Sequence, residues 1–506
     1  MTVTALDRSR RLSSRPRPAS RLSRVVTSAW LWLGLVCAGQ VALAVRPGLN
    51  RGAFEDEGLY VFMGHRMIQH INHGAVLHEF PGAYFSGAPG LYPVMAAIGD
   101  ALGGLEGARA VSLAFAMLAT ACVYKLSSEL FSGLAELLGT LAFTLCESVI
   151  YQSHFATFDS TTMGLVAGAA WLTAYSARHD GLLWAPVVSA LLTLAFFAKY
   201  AGAGYAPVVA ALGVAVGWRR LRWTVVRRAA YLLAGGVVMA TFVIELWGQE
   251  LLRGIGTTTS SRIVLIPASK EHLIGQVVTW VGAWLGLAAL GGALRLRGHW
   301  MVVAVLLGGA VVGPAQQIRI GESTSLAKHV GFGMVFAAPL IGDLLARSLR
   351  LAPGVAAPLV AAVIGVLCAL GVHFSGQYLT AWVQDDNLLP ALTTAIAASP
   401  GKAILGEKPA PERYELRKLV APTQWNDTYA FRYAGLRDRA AYRQAIDESH
   451  FGVIYLSLST IYGRYVHDYL TNHETPYHLT AKVPRYLRRR IVGDWLVYTP
   501  KVVAIR

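Results

Sequence analysis

The sequence predicts a polytopic α-helical membrane protein with a smaller soluble α/β domain at its C-terminal end. Its 506 residues are 54% hydrophobic and only 15% charged, proportions that a soluble globular protein rarely has. Apolar runs of roughly 17 to 25 residues recur over the first three quarters, each long enough to cross about 30 Å of hydrocarbon as a helix. After residue 376 the sequence becomes charged and rich in tyrosine. We therefore expect a transmembrane region at 25–376 and a soluble domain at 377–506.

The distribution of arginine predicts the orientation of this region. The net charge of +16 would suit a nucleic-acid partner, but the arginines cluster in residues 1–24 and beside apolar runs. Short cationic segments stay on the cytoplasmic side, so we interpret the charge as a topology signal and expect no nucleic-acid partner. The tail at 1–24 is then cytoplasmic and, because it is rich in arginine, serine and proline, disordered. The soluble domain falls on the outer side of a plasma (inner) membrane.

The first span is predicted at 25–45, and it leads into a long external loop. A cleavable signal peptide is the alternative, because Ala42 and Ala44 resemble a small-residue cleavage site, although about twenty apolar residues is long for one. Within the loop, residues 56–71 are compatible with an amphipathic helix in the membrane interface. The apolar stretch 91–102 is short for a span, so we interpret it as interfacial or re-entrant.

The remaining spans follow from Arg109 onward, with the second expected at 109–125 and the third at 134–151. Continuing the pattern predicts about eleven spans, with basic residues such as Arg178 and Arg295 at cytoplasmic ends. Counting 91–102 as a full span would instead place the arginines around Arg219 outside, which violates the charge rule more strongly.

The soluble domain shows an alternation of strand and helix patterns. Strands are expected at 403–406, 451–457 and 495–498, and helices at 438–448 and around 462–470. This alternation is typical of a small layered α/β domain. The domain contains no glycine-rich phosphate loop and no nucleophile elbow, so no chemistry is assigned to it. Its position suggests that it caps the site or binds the acceptor.

Three carboxylates share the outer membrane face. Asp56 and Glu57 follow the first span, and Asp159 emerges after the third. A solvated turn or a helix cap would explain each of them. However, an acid at the edge of hydrocarbon is costly unless it is hydrated or used, which favours a functional role.

Basic residues are predicted on the same face. Lys199 interrupts two apolar runs on the outer side, where a lysine that only marks topology is not expected. Arg109, Lys328 and His329 join it there. A lipid-linked phosphate at the membrane boundary needs such partners, because several donors must offset its charge where water is scarce.

Histidines are frequent in the first external loop, at His65, His70, His73 and His78. His70 and His73 are one helical turn apart, so a metal site with Asp56 is conceivable, but interfacial polar residues of an amphipathic helix are the simpler interpretation. A divalent cation between Asp56 and Asp159 is a second possibility. No ligand spacing decides between these, so metal dependence stays open and no cofactor is assigned.

Several short motifs, in this order along the first 375 residues or so, resemble one enzyme family. They are Asp56-Glu57, Leu91-Tyr92-Pro93, Ala108-Arg109-Ala110, Ala156-Thr157-Phe158-Asp159, Ala198-Lys199-Tyr200 and Lys328-His329. The arrangement is similar to that of the GT-C glycosyltransferases related to protein O-mannosyltransferases and bacterial aminoarabinose transferases. The resemblance implies transfer of a hexosyl or pentosyl group from a polyprenyl-phosphate donor to an acceptor outside the cytoplasm, which could be a protein, a lipid or a polysaccharide.

The same resemblance implies roles for individual residues. It suggests Asp56 as the catalytic base, with Glu57 supporting it and Asp159 as a second acid near the acceptor or a metal. It also suggests that Arg109 and Lys199 lie near the lipid phosphate. Tyr92, Lys328 and His329 occupy the remaining substrate-binding motif positions. Because the donor phosphate departs as a stable anion, one base suffices, and in-line attack would invert the anomeric carbon.

The sequence departs from the family pattern at two places. The stretch 85–90 reads FSGAPG, where relatives often carry a basic residue beside two prolines. Lys328-His329 replaces the usual Arg-Tyr, and lysine lacks the bidentate fork of arginine. The alternative function is a multi-span transporter or lipid flippase, whose functional charges would lie mid-span. Glu136, Glu147, Glu245 and Asp343 sit in or near spans, but each can be placed toward the end of one.

Overall fold

The computed structural model describes residues 29–46, 52–77, 85–131, 133–179, 184–259, 267–429, 431–488 and 490–501. The predicted basic tail at 1–24 lies outside these residues, as does His78. Helices occupy the described part of the chain up to Leu379, and a sheet with flanking helices follows. The predicted fold class, a helical membrane protein with a C-terminal α/β region, is therefore confirmed in outline.

The helical region contains fourteen α-helices among the described residues. In chain order they are α1 (Ala29–Ala44), α2 (Glu55–His73), α3 (Tyr92–Leu130), α4 (Ala135–Thr144), α5 (Glu147–His154), α6 (Asp159–His179), α7 (Trp184–Ala198), α8 (Ala206–Leu221), α9 (Trp223–Trp247), α10 (Gln249–Thr258), α11 (Lys270–Ala293), α12 (Leu296–Ile320), α13 (Leu326–Leu351) and α14 (Pro353–Leu379). A 3-10 turn, Tyr200–Tyr205, joins α7 to α8.

Seven helical segments of the described chain are long and apolar enough to cross a membrane. They are α3, the segment Tyr200–Leu221 that includes α8, and α9, α11, α12, α13 and α14. A helix also lies over each of the other predicted spans, but α1, α4 and α7 are shorter. The protein is therefore an integral membrane protein, while the predicted number of eleven spans is not confirmed.

The third predicted span is divided into two helices. α4 ends at Thr144, and Cys146 takes an extended conformation before α5 begins at Glu147. The Glu147 carboxylate accepts the Ser148 N–H, which satisfies one of the open donors at the start of α5. The division shortens each piece, and residues 155–158 connect the end of α5 to Asp159, the first residue of α6.

Helix α3 doubles back on itself. Its regular geometry breaks at Gly103 and Gly104, and Gly104 has a φ of 65°, which favours glycine. A Cβ at Gly99 would lie 2.6 Å from the Gly107 carbonyl oxygen. Residues eight apart in a straight helix are about 12 Å apart, so this contact requires a sharp reversal. The short apolar stretch predicted at 91–102 is thus one arm of a helical hairpin.

The core of the membrane region surrounds α13. This helix is buried along its apolar length and packs against α4, α11 and α12. Its Gly342 allows close backbone contact, because a Cβ there would lie 2.0 Å from the Ala135 carbonyl oxygen. In contrast, α9 presents large apolar side chains outward, among them Val237, Val238 and Phe242. An exposed apolar surface on a long apolar helix is the pattern of a face in contact with lipid.

The C-terminal region contains one five-stranded sheet in the order β2-β1-β5-β7-β6. Its strands are β1 (Ala403–Gly406), β2 (Trp425–Asp427), β5 (Phe451–Leu456), β6 (Tyr477–Leu487) and β7 (Arg490–Pro500), and β3 (Arg432–Tyr433) pairs with β4 (Leu436–Arg437) separately. The helices are α15 (Leu388–Ala397), α16 (Ala410–Glu415), α17 (Asp438–Asp447) and α18 (Ile461–Asn472). Strands β2, β1 and β5 are parallel, and β7 and β6 continue the sheet antiparallel. Each predicted strand and helix of this domain is present.

The C-terminal domain is fixed against α2, the helix that follows α1. Its α16 packs on α2 so closely that a Cβ at Gly58 would lie 2.5 Å from the Ala410 carbonyl oxygen. Arg417 donates a hydrogen bond of 2.8 Å to Asp100 of α3, and Tyr414 donates to the same carboxylate. The domain therefore lies beside α2, the helix that carries Asp56 and Glu57.

Candidate active site

Helix α2 begins with three acidic residues, Glu55, Asp56 and Glu57. The N-terminus of a helix favours negative charge, because its first N–H groups have no partner within the helix. Glu57 uses this position, since its carboxylate accepts the Phe54 N–H at 3.2 Å. The Asp56 side chain instead faces Lys328 and is 31% exposed.

Glu57 is fully buried and forms an ion pair with Arg109. Arg109 donates from Nε to one carboxylate oxygen at 2.9 Å and from Nη2 to the other at 2.8 Å. The Ala156 N–H donates to Glu57 Oε1 at 2.8 Å, and Arg109 also binds Glu106 and the Gly52 carbonyl. Glu57 therefore connects α2, α3 and the segment that precedes Asp159.

Asp159 and Lys199 form a second buried ion pair. Asp159 is the first residue of α6, and Lys199 follows α7 in an extended conformation. Their side chains are 0% and 4% exposed, and Lys199 Nζ donates to Asp159 Oδ1. Among the described residues, Asp159 Oδ2 accepts no hydrogen bond. One oxygen of this buried carboxylate is therefore left for a further partner.

Lys328 connects the two acids that the sequence places in different loops. Its ammonium group pairs with Asp56 Oδ2 and lies 3.9 Å from Asp159 Oδ2. With Lys199, the four side chains form an alternating line of charge, Asp56–Lys328–Asp159–Lys199. Lys199 and Asp159 are at most 4% exposed, whereas Lys328 is 12% and Asp56 31% exposed, so the line is reached from the Asp56 end. We call these four residues the charge line.

Aromatic rings surround the two lysines of the charge line. Lys199 Nζ lies 5.1 Å from the centre of the Phe158 ring and 5.8 Å from that of Phe332, and Lys328 Nζ lies 5.8 Å from that of Phe54. The electron-rich faces of such rings attract cations where water is scarce. These contacts were not predicted from the sequence. Only Phe158 could have been identified as a neighbour of the site, because it directly precedes Asp159.

Two other predicted site residues lie behind the charge line. Tyr92 is fully buried, its hydroxyl 2.7 Å from that of Ser112, and its ring meets Phe158 edge-on. His329 is buried beside Gln317, with Nδ1 2.6 Å from the amide nitrogen. Both residues thus support neighbours of the charge line.

The stretch 85–90, where the sequence departs from the family pattern, braces the segment that carries Lys199. The Ala88 N–H donates to the Phe197 carbonyl at 2.6 Å, and the Tyr200 N–H donates to the Ser86 carbonyl at 2.7 Å. Gly87 is needed for this approach, because a Cβ there would lie 2.1 Å from the Ala198 carbonyl oxygen. The loop therefore fixes the backbone on both sides of Lys199.

The sequence leaves two metal sites possible, one with the histidines of α2 and one between Asp56 and Asp159. Among the described residues, no three His, Cys, Asp or Glu side chains form a group that could hold a metal ion. His65 pairs with Asp100 at 2.6 Å, and His70 Nδ1 lies 2.8 Å from the Ala75 carbonyl oxygen. Asp56 and Asp159 each face an ammonium group, which would repel a cation bound between them. The described side chains thus do not fit a metal in this position.

Comparison with known proteins identifies the fold. No family model and no curated protein sequence matches the chain. The crystal structure of ArnT from Cupriavidus metallidurans bound to undecaprenyl phosphate is similar over 94% of this chain and 99% of that one, with a TM-score of 0.63 and 14% identity.

Two structures of the Archaeoglobus fulgidus oligosaccharyltransferase AglB are also similar. The complex with zinc and sulfate matches with a TM-score of 0.56 at 14% identity, over 84% of this chain and 67% of that one. The complex with an inhibitory peptide and a dolichol-phosphate matches with 0.55 at 12% identity, over 84% and 68%. ArnT and AglB are both GT-C fold glycosyltransferases, so this chain has the GT-C fold over most of its length.

Proposed function

We propose that this protein is a membrane glycosyltransferase that moves a sugar from a polyprenyl-phosphate donor to a hydroxyl group of an acceptor outside the cytoplasm. The observation that carries the proposal is the charge line, in which Lys328 joins Asp56 to Asp159 at one end of a GT-C membrane fold. Two lysines beside a catalytic acid supply the charges that a departing lipid phosphate requires.

The bound molecules of the similar structures support this choice of donor. The ArnT structure contains undecaprenyl phosphate, and the AglB complex contains a dolichol-phosphate and an inhibitory peptide. Both lipids carry a phosphate on a polyprenyl chain. The lysines of the charge line offer matching positive charge in a site lined by Phe54, Phe158 and Phe332. A phosphate binds such ammonium groups through charge-assisted hydrogen bonds.

Donor binding would also activate the base. In the structure the Asp56 carboxylate is occupied by the Lys328 ammonium group. When the donor phosphate enters, it competes for Lys328 and weakens the contact between Lys328 and Asp56. The Asp56 carboxylate is then free to accept the acceptor hydroxyl only when a donor is present.

The proposed reaction is a single displacement at the anomeric carbon. The acceptor hydroxyl attacks the anomeric carbon and gives its proton to Asp56, while the bond from that carbon to the phosphate oxygen breaks. The oxygen leaves with the electron pair, and the polyprenyl phosphate gains a second negative charge that Lys199 and Lys328 stabilise. No acid is needed to protonate it, since phosphate is a stable leaving anion. Attack from the opposite side inverts the anomeric carbon.

The other candidate residues would act through this line. Glu57 and Arg109 hold the start of α2, and so set the position of Asp56. Tyr92 contacts Ser112, which donates to the Thr157 carbonyl just before Asp159, and His329, next to Lys328, is held by Gln317. The family resemblance suggests that Arg109 lies near the lipid phosphate, whereas we assign it the role of positioning Asp56.

The transporter alternative depends on charges within the spans. Asp343 accepts hydrogen bonds of 2.7 Å from Arg295 and lies 3.0 Å from Arg347, so its charge is balanced locally. A fixed pair of this kind does not bind a passing ion. We therefore favour transfer over transport for this chain.

The experiment is complementation of cells that lack the protein. Mass spectrometry of their glycans and glycolipids would identify the missing sugar, and cells with Asp56→Asn would then be compared with wild type. Loss of a general base lowers rates by roughly 100-fold to 10,000-fold, so we expect the sugar to stay missing. Glu55→Gln is the matched control, because Glu55 is adjacent in α2 and pairs only at the surface with Lys408 at 3.2 Å. Normal glycosylation by a correctly inserted Asp56→Asn protein would refute the proposal.

A further inference from the structure

The C-terminal domain has an open cavity of its own, with a volume of about 440 Å³. Its lining includes Arg437, Asp438, Arg439, Tyr462 and Tyr465. These residues belong to the end of β4 and to the beginnings of α17 and α18. Pockets that hold small molecules in proteins span roughly 300–1,000 Å³, so this cavity is large enough for a ligand. We call it the arginine cavity.

The arginine cavity lies at the edge where the parallel strands of the sheet end. β5 ends at Leu456 and is followed by α18, while β2 is followed by the hairpin β3–β4 and α17. Open α/β sheets bind ligands outside this edge. The same edge meets the membrane region, because α16 follows β1 and packs on α2. Glu407, between β1 and α16, accepts the Thr460 N–H directly before α18, which connects the cavity to this contact.

The hairpin beside the cavity carries two arginines that face each other. β3 pairs with β4 in a register that places Arg432 opposite Arg437. Like charges directly opposite in an antiparallel pair destabilise it. The turn that joins them is also unfavourable, because Ala434 has a φ of 48°, which a residue with a Cβ rarely adopts. An anion bound to both guanidinium groups would remove the repulsion between them.

Arg439 is held in place by an aromatic ring. Its guanidinium carbon lies 5.0 Å from the centre of the Tyr465 ring, and the Tyr465 hydroxyl accepts from Arg443 Nε at 2.7 Å. Within the described part of the chain, neither Arg437 nor Arg439 forms an ion pair with a carboxylate, and both residues are exposed. Their guanidinium groups are therefore accessible to a ligand that brings negative charge.

The other groups in the lining favour a saccharide over a simple anion. Asp438 lies between the two arginines in sequence, and its carboxylate would repel a bare anion. A sugar hydroxyl, in contrast, donates to a carboxylate and also accepts from a tyrosine hydroxyl such as that of Tyr462. A molecule that carries both an acidic group and hydroxyl groups therefore matches the whole lining.

We propose that the arginine cavity binds an acidic saccharide, a sugar that carries a phosphate or carboxylate group. Arg437 and Arg439 bind the acidic group through charge-assisted hydrogen bonds, and Asp438 and Tyr462 bind hydroxyl groups of the ring. That this saccharide is part of the acceptor rests on the proposed function, but its binding does not. An acceptor held there would lie at the edge of the domain that packs on the helix of Asp56.

The test measures binding without catalysis. Saturation-transfer NMR titrations would use the full chain in a detergent without a sugar headgroup, with glucose 6-phosphate, glucuronate and neutral glucose as probes. We expect wild type to bind both acidic probes and to bind glucose at least tenfold more weakly. In Arg437→Gln and in Arg439→Gln the affinity for the acidic probes should fall about tenfold, because each variant loses a charge-assisted hydrogen bond.

Lys402→Gln is the matched control. Lys402 is exposed and precedes β1, at the opposite edge of the sheet, so its replacement removes one positive charge of the same domain away from the cavity. This variant should bind all three probes as wild type does. No binding of either acidic probe to wild type, or equal binding by the two arginine variants and wild type, would overturn the proposal.

Further measurements separate the arginine cavity from the charge line, whose lysines also bind phosphate under the proposed function. Lys328→Met should keep the binding of both acidic probes although its transfer activity is lost, and its thermal unfolding midpoint is measured alongside. Binding that is lost in Lys328→Met and normal in the arginine variants would overturn the cavity proposal. Because Arg437 and Arg439 are exposed, their variants decide the test if Lys328→Met unfolds.

Two more probes test the kind of ligand. Inorganic phosphate should bind at least tenfold more weakly than glucose 6-phosphate, since it offers no hydroxyl groups to Asp438 and Tyr462. Equal affinity for both would overturn the saccharide in favour of a simple anion. Adenosine monophosphate that binds more tightly than glucose 6-phosphate would overturn it in favour of a nucleotide.

Discussion

Arg109 and Glu57 form a forked ion pair across 52 residues of sequence, with hydrogen bonds of 2.9 and 2.8 Å. Their side chains are 5% and 0% exposed, so this interaction is shielded from water. The pattern of family motifs predicts Arg109 near the lipid phosphate, whereas in the structure its guanidinium group binds Glu57, Glu106 and the Gly52 carbonyl. The pair thus fixes the start of α2 and, with it, the position of Asp56.

The first prediction concerns Arg109→Lys. Lysine keeps the charge but cannot form the fork, so Glu57 loses a hydrogen bond in a buried site. We expect a loss of about 1–3 kcal/mol in stability, seen as a lower thermal unfolding midpoint in detergent. In transfer assays, kcat should fall while the KM for the donor stays near wild type.

Arg66→Lys provides the control, because Arg66 is a partly exposed arginine of the same helix α2 and donates to neutral groups, Gln69 and the Val76 carbonyl. It should leave both the midpoint and kcat unchanged. A tenfold higher donor KM in Arg109→Lys, with an unchanged midpoint, would show instead that Arg109 contacts the phosphate.

The second prediction is a double-mutant cycle on Asp159 and Lys199. Asp159→Asn leaves the Lys199 ammonium group buried beside a neutral amide, and removing one partner of a buried pair costs roughly 3–5 kcal/mol. Adding Lys199→Met removes the isolated charge, so the double variant should recover much of the unfolding midpoint. Activity should stay lost in all three variants. Additive losses in the midpoint would mean that the two side chains do not interact.

Much of the site is foreseeable from the sequence because the membrane restricts where charges can lie. Positive flanks predict that Asp56, Asp159 and Lys199 share one face, and helices cover the predicted spans. The link through Lys328 is not foreseeable in this way, since it joins residues 272 apart and depends on how α13 packs in the core. The membrane face on which a residue lies can be predicted from local sequence, whereas contacts between distant residues depend on how the helices pack.

In the C-terminal domain too, some elements can be predicted from local sequence and others depend on packing. The strand pattern of β5 is continuous and apolar, and all six of its residues are buried, so it is predicted with nearly correct bounds. Strand β6 has mostly exposed or half-buried residues and gives no such pattern. Its pairing with β7 determines its conformation, and that pairing is visible only in the fold.

The third prediction tests the loop that braces Lys199. In Gly87→Ala the new Cβ would lie 2.1 Å from the Ala198 carbonyl oxygen, so the backbone beside Lys199 must move. Misplacement by about 1 Å can cost roughly 100-fold in rate, and we expect transfer to fall on that order. Gly286→Ala in α11 is the matched control, because no atom lies within 4 Å of its new Cβ. Equal activity of the two variants would show that the loop does not position Lys199.

The fourth prediction concerns acid stability of the C-terminal domain and depends on Glu407. Its carboxylate accepts the N–H groups of Ser457 at 2.7 Å, Leu458 at 2.8 Å and Thr460 at 2.5 Å. Burial raises the pKa of Glu407, but the hydrogen bonds from Thr460, Ser457 and Ser459 outweigh it, so the pKa lies below its ordinary value of 4.5. A lowered pKa in the folded state means that the ionised group stabilises the fold above the unfolded-state pKa. That stabilisation is lost as the pH falls through the folded-state value.

Glu407→Gln should therefore weaken the domain at pH 7 and remove part of its sensitivity below about pH 4.5. The measurement is hydrogen exchange at the amides of Ser457, Leu458 and Thr460 in the full chain, with variant and wild type compared at the same pH. Exchange should be faster in the variant at pH 7, and the difference should shrink as the pH falls below 4, since protonated Glu407 has also lost its charge. Glu474→Gln, at an exposed position, is the control and should match wild type at every pH. A difference that grows with acid would contradict the role of the ionised carboxylate.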